Sequence, residues 1–462
     1  SMWAEPDRGA LAAGMAALAA RPDGPEGTAR VERARALIAE EYTWEASARR
    51  WRTLISEVEE GAARLRVAMV TSWNSRCGIA ENSRYLIDQL EPSVGFDIFA
   101  NVDVGIIDPQ AEHGVIRTWK HRWEPDVSAL EEALLISDAE VIHIQMNFGW
   151  FEFQRLAALL EHQRPYRGVV MTLHRTIDYD DRGTLLTLRE ITPALRRVDQ
   201  LIVHQESDVR HLESIGISEN VHLVPLGASP APDVAPDTVR TALGFGDRPV
   251  VGTFGFLLPH KGTRDLVVAV DELRSGHPDI LLVAACAAYP GVASRDYEME
   301  VRQEIRDRGL DGHVVLITDY LADETARALL RSTDVIVLPY GETGESSSAA
   351  LRFVLPVGRA VIVTDEPIFR DAGDAVHVAT DGGPHGLAEA IETVLADRPY
   401  RDELARRAEQ RSRRFLWDRV AAEHRQIYAA AARAGRARRW EVERRAVEGE
   451  GMGLLGLPLV GS

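Results

Sequence analysis

The chain alternates short, continuous apolar runs with segments of helix length, and this alternation most limits what it can fold into. In the first half the runs are Arg66–Thr71, Val141–Gln145, Gly168–Leu173 and Gln200–His204. Runs rich in β-branched residues, without polar alternation, are typical of parallel strands that helices cover on both faces. We therefore predict an α/β domain with a doubly wound parallel sheet over residues 63–235.

The same pattern starts again after a Pro-rich segment, residues 227–236. The restart predicts a second doubly wound α/β domain over residues 236–410, with the Pro-rich segment as the hinge region. A chain of 462 residues is long enough for two cores. Two such domains face each other across a cleft lined by the carboxyl ends of strands, where folds of this class bind ligands. The runs of the second set are Pro249–Phe254, Asp279–Ala284, Val314–Ile317, Asp334–Leu338 and Ala360–Thr364.

Both ends of the chain are predicted to be helical. We expect a helical N-terminal extension over residues 1–62, terminal helices over 411–447 and a flexible apolar tail over 448–462. Tyr42–Ile55 aligns with Phe415–Tyr428, and the two segments share a Trp-acid pair and a bias toward Ala and Arg. We infer that residues 1–62 are the tail of an upstream unit of the same kind. The alternative is two unrelated helices of similar composition.

Composition excludes several classes of function. The net charge of −18 argues against a nucleic-acid binder, because phosphates reward clustered cations. No apolar stretch reaches 18 residues and no secretory signal is present, so we expect a cytoplasmic protein without a transmembrane segment. The two cysteines are too few for a disulfide framework. Arginines around Trp440 are expected to form a solvated helix end, and the alternative is peripheral contact with anionic lipid.

The strongest candidate for chemistry lies between Leu338 and Asp365. A predicted strand ends at Leu338, a glycine-containing turn follows, and Glu345–Ser348 opens a helix-like run. Free backbone N–H groups at such a point favour an anion site at the edge of a sheet, and the alternative is an ordinary serine cap. Glu345 would repel a phosphate there unless a hydroxyl-bearing group lay between them, as in a sugar phosphate.

A second candidate is the turn after the strand Pro249–Phe254. Lys261, followed by Gly262, is placed to reach phosphate oxygens as a point charge. The alternative is a solvated turn, since the Walker spacing is absent.

In this order and spacing, these segments resemble the donor domain of the retaining glycosyltransferases of family 4, which have the GT-B fold. The resemblance covers roughly residues 64–430. His174 ends its strand where the family places an active-site histidine, and Phe415–Tyr428 resembles the terminal helices that return onto the first domain. The other matching segments are Ser72–Asn82, Gly255, Val224–Gly227, Asp334–Pro339 and Gly358–Asp365.

The resemblance implies transfer of a hexosyl group from a nucleoside-diphosphate sugar to a hydroxyl of a glycan, glycolipid or small molecule. Retention of configuration is implied, with no cofactor and no metal. The implied catalytic residues are His174, Glu345 and Lys261. The implied donor-binding residues are Gly78, Gly255, Lys261, Arg264, Glu345, Ser346, Ser347 and Ser348. On the acceptor side we expect Asn74, Arg76, Gln145 and Asn147, while His204 and His222 are expected to be structural.

Two departures from the family keep other functions open. The family's second glutamate, which usually holds the nucleotide ribose, is replaced by Phe353, and its phosphate-contacting arginine is replaced by Phe256. Lys261 would then share the diphosphate with helix amides, or Arg264 or Arg76 would substitute. The alternatives to a transferase are a catalytically idle sugar- or nucleotide-binding module of a tandem assembly and a GT-B nucleotide-sugar epimerase.

The segment Asp178–Asp180 matches the Asp-x-Asp metal motif of another glycosyltransferase fold. It is more simply interpreted as a polar loop, and we predict no metal.

Overall fold

The structure is a computed structural model. It describes residues 64–447, except 92, 103–104, 123, 125, 182 and 231–234, and before them residues 9, 12–13, 15–16, 25–41 and 43–44. The chain divides into two compact units, residues 1–64 and 65–462. In the first unit a helix spans Pro25–Glu41 (α1). Residues 45–63, which the upstream-unit prediction needs, and the tail 448–462 lie outside the described residues.

The second unit contains two parallel sheets, as predicted. The first sheet has seven strands in the order β3-β2-β1-β4-β5-β8-β9, and the second has six in the order β12-β11-β10-β13-β14-β15. A small antiparallel hairpin, β6–β7, follows β5. The strands of the first sheet and the hairpin are Arg66–Thr71 (β1), Gly95–Asn101 (β2), Val115–Trp119 (β3), Val141–Met146 (β4), Gly168–Leu173 (β5), Tyr179–Asp181 (β6), Thr184–Leu186 (β7), Gln200–Val203 (β8) and Val221–Leu223 (β9). Those of the second sheet are Val250–Phe256 (β10), Leu281–Ala287 (β11), Val314–Ile317 (β12), Val335–Leu338 (β13), Ala360–Thr364 (β14) and His377–Ala379 (β15).

Helices connect the strands and cover both faces of each sheet. In the first domain they are Gly78–Leu90 (α2), Ser128–Ile136 (α3), Phe153–Gln163 (α4), Thr192–Leu195 (α5) and Glu206–Ser214 (α6). In the second they are Pro236–Ala242 (α7), Thr263–Leu273 (α8), Val292–Asp307 (α9), Asp323–Arg331 (α10), Ala349–Val354 (α11), Pro384–Ala396 (α12) and Arg398–Ser412 (α13), and Trp417–Val447 (α14) follows. None of the helices in the described part of the chain combines the length and apolar character that a bilayer crossing requires.

The strand orders fix where a ligand site belongs. Each order reverses direction once, between β1 and β4 in the first sheet and between β10 and β13 in the second. At such a switch point the connections leave toward opposite faces, and a crevice opens at the carboxyl ends of the two strands. Functional side chains are therefore expected directly after these four strands.

The long helix α14 lies on the first sheet, although it follows the second domain in sequence. The chain crosses back where Ala228 and Leu416 form an isolated parallel bridge. On the sheet, the Tyr428 hydroxyl is 2.7 Å from Nδ1 of His143 on β4. The helix approaches β5 so closely that a Cβ at Gly168 would lie 2.2 Å from the Ala431 carbonyl oxygen. The start of this helix is thus part of the first domain's core.

Candidate active site

A cavity of about 490 Å³ lies between the carboxyl ends of the two sheets. The first domain contributes the start of α2, after β1, and residues that follow β4, β5 and β8. The second contributes the end of β10 with the turn after it, and the residues between β13 and α11. Both switch points therefore open into one cavity.

Lys261 and Glu345 meet in this cavity. Lys261 ends a short 3₁₀ turn after β10, and Glu345 follows β13. Their Nζ and Oε2 atoms are 3.5 Å apart, and the Lys261 ammonium lies 3.9 Å from the centre of the Tyr340 ring. Burial opposes the charge on Lys261, but Tyr340 and Glu345 outweigh it, so the pKa of Lys261 lies above its ordinary value. The cavity thus holds a fixed cation beside a carboxylate.

His174, directly after β5, has both ring nitrogens bound within the protein. Nε2 lies 2.7 Å from Oε1 of Gln145, and Nδ1 lies 3.2 Å from Nε2 of His204. Burial holds the pKa of His174 well below its usual value, so the ring is neutral near pH 7. Its backbone carbonyl accepts a hydrogen bond of 3.3 Å from the Ser346 N–H, in the second domain. In this structure His174 therefore contacts the second domain through its backbone.

Arg175 brings a second cation to the segment that carries Glu345. Its guanidinium lies 4.4 Å from the centre of the Tyr179 ring. It also packs on Gly344 so closely that a Cβ there would lie 1.2 Å from Nη2. The Nε atom is buried without a hydrogen-bond partner in the described structure. Burial lowers the pKa of this arginine, and the charge of Glu345 acts in the opposite direction.

The far side of the cavity is aromatic. Phe254 and Phe353 stack with their ring centres 4.1 Å apart and their planes at 7°. The Arg327 guanidinium lies 4.6 Å from the Phe353 centre, and its Nε is buried without a hydrogen-bond partner among the described residues. Phe256 contacts Tyr289 edge to face at 5.2 Å. The two positions where the resemblance expects a glutamate and an arginine thus form part of an aromatic wall.

The structure brings most of the sequence-predicted site residues to the cavity. Asn74 binds Glu112 and Asp108, Arg76 donates to the Ala288 carbonyl at 3.2 Å, and Gln145 is fully buried beneath His174. Arg264 is half exposed and paired with Glu304 at 2.8 Å. These four, together with Ser346, are not in the cavity lining. The predicted residues that do line it are Gly78, Asn147, His174, Gly255, Lys261, Glu345, Ser347 and Ser348.

Sequence reasoning did not assign Arg175, Tyr340 or Arg327 to the site. Arg175 directly follows His174 after β5, Tyr340 follows β13 and Arg327 lies on α10, so the available signal was position relative to these elements. His204 was expected to be structural, and it does line the cavity, where it contacts His174.

In the described part of the chain, no group of three or more metal-ligating side chains comes together. Asp178 and Asp180 lie at the exposed hairpin β6–β7, where Asp180 accepts a hydrogen bond from the Gly183 N–H at 2.7 Å.

Parts of this chain are similar in sequence to known glycosyltransferases. Residues 237–411 match the family model described as Glycosyl transferases group 1. A phosphatidyl-myo-inositol mannosyltransferase from Mycolicibacterium smegmatis is 27% identical over 48% of this chain and 53% of its own. A D-inositol 3-phosphate glycosyltransferase from Nocardioides is 28% identical over 42% of this chain and 44% of its own. The chain therefore spans about half the length of each of these two relatives.

Solved structures show the fold. Anabaena HepE, crystallised with UDP and glucose, superposes with a TM-score of 0.64 at 17% identity, over 79% of this chain and 100% of that one. The described second unit thus has the GT-B fold, with two Rossmann-like domains. Its second domain carries the Glycosyl transferases group 1 match.

Proposed function

We propose that this chain transfers a hexosyl group from a nucleoside-diphosphate sugar to a hydroxyl acceptor, with retention of configuration and without a metal. The carrying observation is the contact between Lys261 and Glu345 in the cavity between the two domains. Each residue follows one of the two strands that flank the switch point of the second sheet.

The chemistry explains why a cation and a carboxylate belong together. As the bond between sugar and diphosphate breaks, negative charge grows on the leaving phosphate and positive charge on the sugar ring. The Lys261 ammonium is already held in place by Glu345 and Tyr340, so it stabilises the phosphate without reorganising. Glu345 is half exposed and accepts hydrogen bonds from sugar hydroxyls that lie between it and the phosphate. The Ser347 hydroxyl, buried in the lining without a partner among the described residues, is a further donor for the same group.

Closure of the two domains over the donor keeps water from the reactive sugar. The acceptor enters from the first domain, where Asn147 and Trp150 line the cavity. Of the relatives, one is named for phosphatidyl-myo-inositol and one for D-inositol 3-phosphate, so a polyhydroxylated ring, with or without a phosphate, is the first acceptor class to examine.

The test is nucleotide release from UDP-, GDP-, ADP- and TDP-sugars, with and without inositol or inositol phosphate, for wild type and Glu345→Ala. We expect release that depends on acceptor, survives EDTA and is lost in the variant. NMR of the product's anomeric proton reports retention or inversion. Release that requires a divalent metal, or a product of inverted configuration, would contradict the corresponding part of the proposal.

The aromatic wall favours a second candidate, an idle nucleotide-sugar binding module. Phe353 and Phe256 supply no hydrogen bonds, so the nucleotide is held by fewer polar contacts. Such a module would raise its melting temperature with a nucleotide sugar by mass action, yet release no nucleotide with any acceptor in the panel.

A further inference from the structure

The donor loop, defined as residues 341–348, is attached to both domains. At its start the Gly341 N–H donates to the His260 carbonyl at 2.8 Å, directly beside Lys261. Near its end the Ser346 N–H donates to the His174 carbonyl, and the Ser346 hydroxyl donates to Oδ1 of Asp208 at 2.8 Å. Glu345 is therefore held between one attachment to its own domain and two to the other.

Among the groups that bind the donor loop, Asp208 is a buried carboxylate. It lies in the first turn of α6 and is 3% exposed. Oδ1 also accepts from the Thr176 hydroxyl at 2.7 Å, and Oδ2 accepts from the Gln205 N–H at 3.0 Å. No lysine or arginine in the described part of the chain forms an ion pair with Asp208, so hydrogen bonds carry the stabilisation of this carboxylate. A buried carboxylate that loses one of its donors is left poorly solvated, which is costly.

Two of the three donors to Asp208 come from its own domain, and the third comes from the donor loop. Separation of the domains removes only the Ser346 hydroxyl. The carboxylate thus favours the arrangement in which the loop rests on the first domain, and its bond to the loop is charge-assisted. Because Ser346 is the next residue after Glu345, the same bond fixes where the Glu345 backbone lies.

We propose that Asp208 and Ser346 form a latch between the domains, which positions Glu345 and, through Gly341 and His260, Lys261. Asp208 and Ser346 are positioning residues, because they act through the donor loop. The latch concerns the contact between the two domains, whereas its effect on turnover rests on the proposed function. The contact and the turnover are therefore measured separately.

Hydrogen exchange measured by mass spectrometry tests the latch without any substrate. Ser346→Ala and Asp208→Asn each remove the charge-assisted bond, and we expect the peptide covering residues 341–348 to exchange faster in each variant. The double variant should exchange no faster than the faster single one, because both changes remove one contact. Glu206→Gln, exposed on the same helix turn, is the matched control. Unchanged exchange in Ser346→Ala, or additive effects in the double variant, overturns the latch.

Kinetics test the consequence. We expect Ser346→Ala to lower kcat by about 10- to 100-fold, with less than about a threefold change in the KM for the donor, since misplacement of catalytic groups costs rate more than binding. Ser346→Thr keeps the hydroxyl and should restore most of kcat. Equal losses in Ser346→Ala and Ser346→Thr overturn the positioning role.

Melting temperature identifies any variant that fails to fold, and Ser346→Ala, which removes a single oxygen, decides the outcome if Asp208→Asn does not fold. If wild type turns over no donor, the exchange experiment still decides the latch, and only the proposed function has failed.

Discussion

At the scale of single residues, the ammonium of Lys261 is the group on which the proposed chemistry depends most. Its Nζ is fixed by Glu345 and Tyr340 and needs no reorganisation as charge develops on the phosphate. We expect Lys261→Ala to lower kcat by about 10²- to 10³-fold, the usual effect of removing one preorganised donor to a developing anion. Lys261→Arg should recover part of this loss, because a charge remains. Steady-state nucleotide release measures kcat for both variants, and Arg274→Ala, directly after α8, is the control. A loss of kcat below about twofold in Lys261→Ala would exclude the phosphate-stabilising role of Lys261.

Phe353 permits a second test at this scale. An aromatic ring stacked on Phe254 accepts no hydrogen bond from a ribose hydroxyl. With UDP as the probe nucleotide, we therefore expect wild-type affinities for the ribo and 2′-deoxy forms that differ by less than about threefold. Phe353→Glu introduces a carboxylate beside Arg327, and should raise the preference for UDP by about tenfold or more, since hydrogen bonds to charged groups contribute about 1.5–3 kcal/mol. Isothermal titration gives both ratios. A strong wild-type preference for UDP would show that another group recognises the 2′-hydroxyl.

At the scale of elements, the donor loop depends on a glycine for space. A Cβ at position 344 would lie 1.2 Å from Nη2 of Arg175, so Gly344→Ala must displace that guanidinium or the loop. We expect kcat to fall by about 10- to 100-fold, because misplacement by about 1 Å is enough to cost this much. At Gly341, in the same loop, the nearest atom would be 3.9 Å away, so Gly341→Ala is the matched control. Equal kcat values for the two variants would contradict the close approach of Arg175.

The strands also show how much of the fold could be predicted from the sequence. All nine predicted apolar runs are strands in the structure. A parallel strand that is covered on both faces is apolar along its whole length, so it is easily recognised in the sequence. β2 and β3 were not predicted, since they lie toward the sheet edge, where partly exposed residues such as Asp97 and Arg117 break up the apolar run. Within the site, Lys261 and Glu345 were predicted from their positions after strands, and both line the cavity. The contacts of Arg175 with Gly344 and of Asp208 with Ser346 were not, because they depend on how two domains meet.

At the scale of the whole molecule, we expect four histidines, three of them buried and one partly buried, to make stability depend on pH in mild acid. They are His143, His174 and His204 in the first domain and His424 on α14. Burial lowers the pKa of each, and for His424 it does so to about 4, against about 6.5 in the unfolded chain. All four are therefore neutral in the folded protein near pH 7.

The sign of the resulting pH dependence follows from linkage. A histidine whose pKa is lower in the folded state takes up its proton preferentially in the unfolded chain. Its contribution to stability is complete above about pH 6.5 and is lost as the pH falls toward the folded value. For His424 alone, the difference between about 6.5 and about 4 corresponds to about 3 kcal/mol once the pH is below both values.

We therefore expect the midpoint of urea unfolding to change little from pH 7.5 to pH 7 and to fall increasingly steeply from there to pH 5.5, above the range in which most carboxylates take up protons. His424→Gln should flatten this dependence, because it removes one of the groups that protonate on unfolding. His385 is an instructive control: it is exposed beside Glu272, a contact that raises its pKa, so it favours the folded state as the pH falls. His385→Gln should leave the slope unchanged or make it slightly steeper. If His424→Gln keeps the wild-type slope, the histidine on α14 takes up its proton as readily in the folded protein as in the unfolded chain, and the packing of this helix on the first sheet does not exclude its charge.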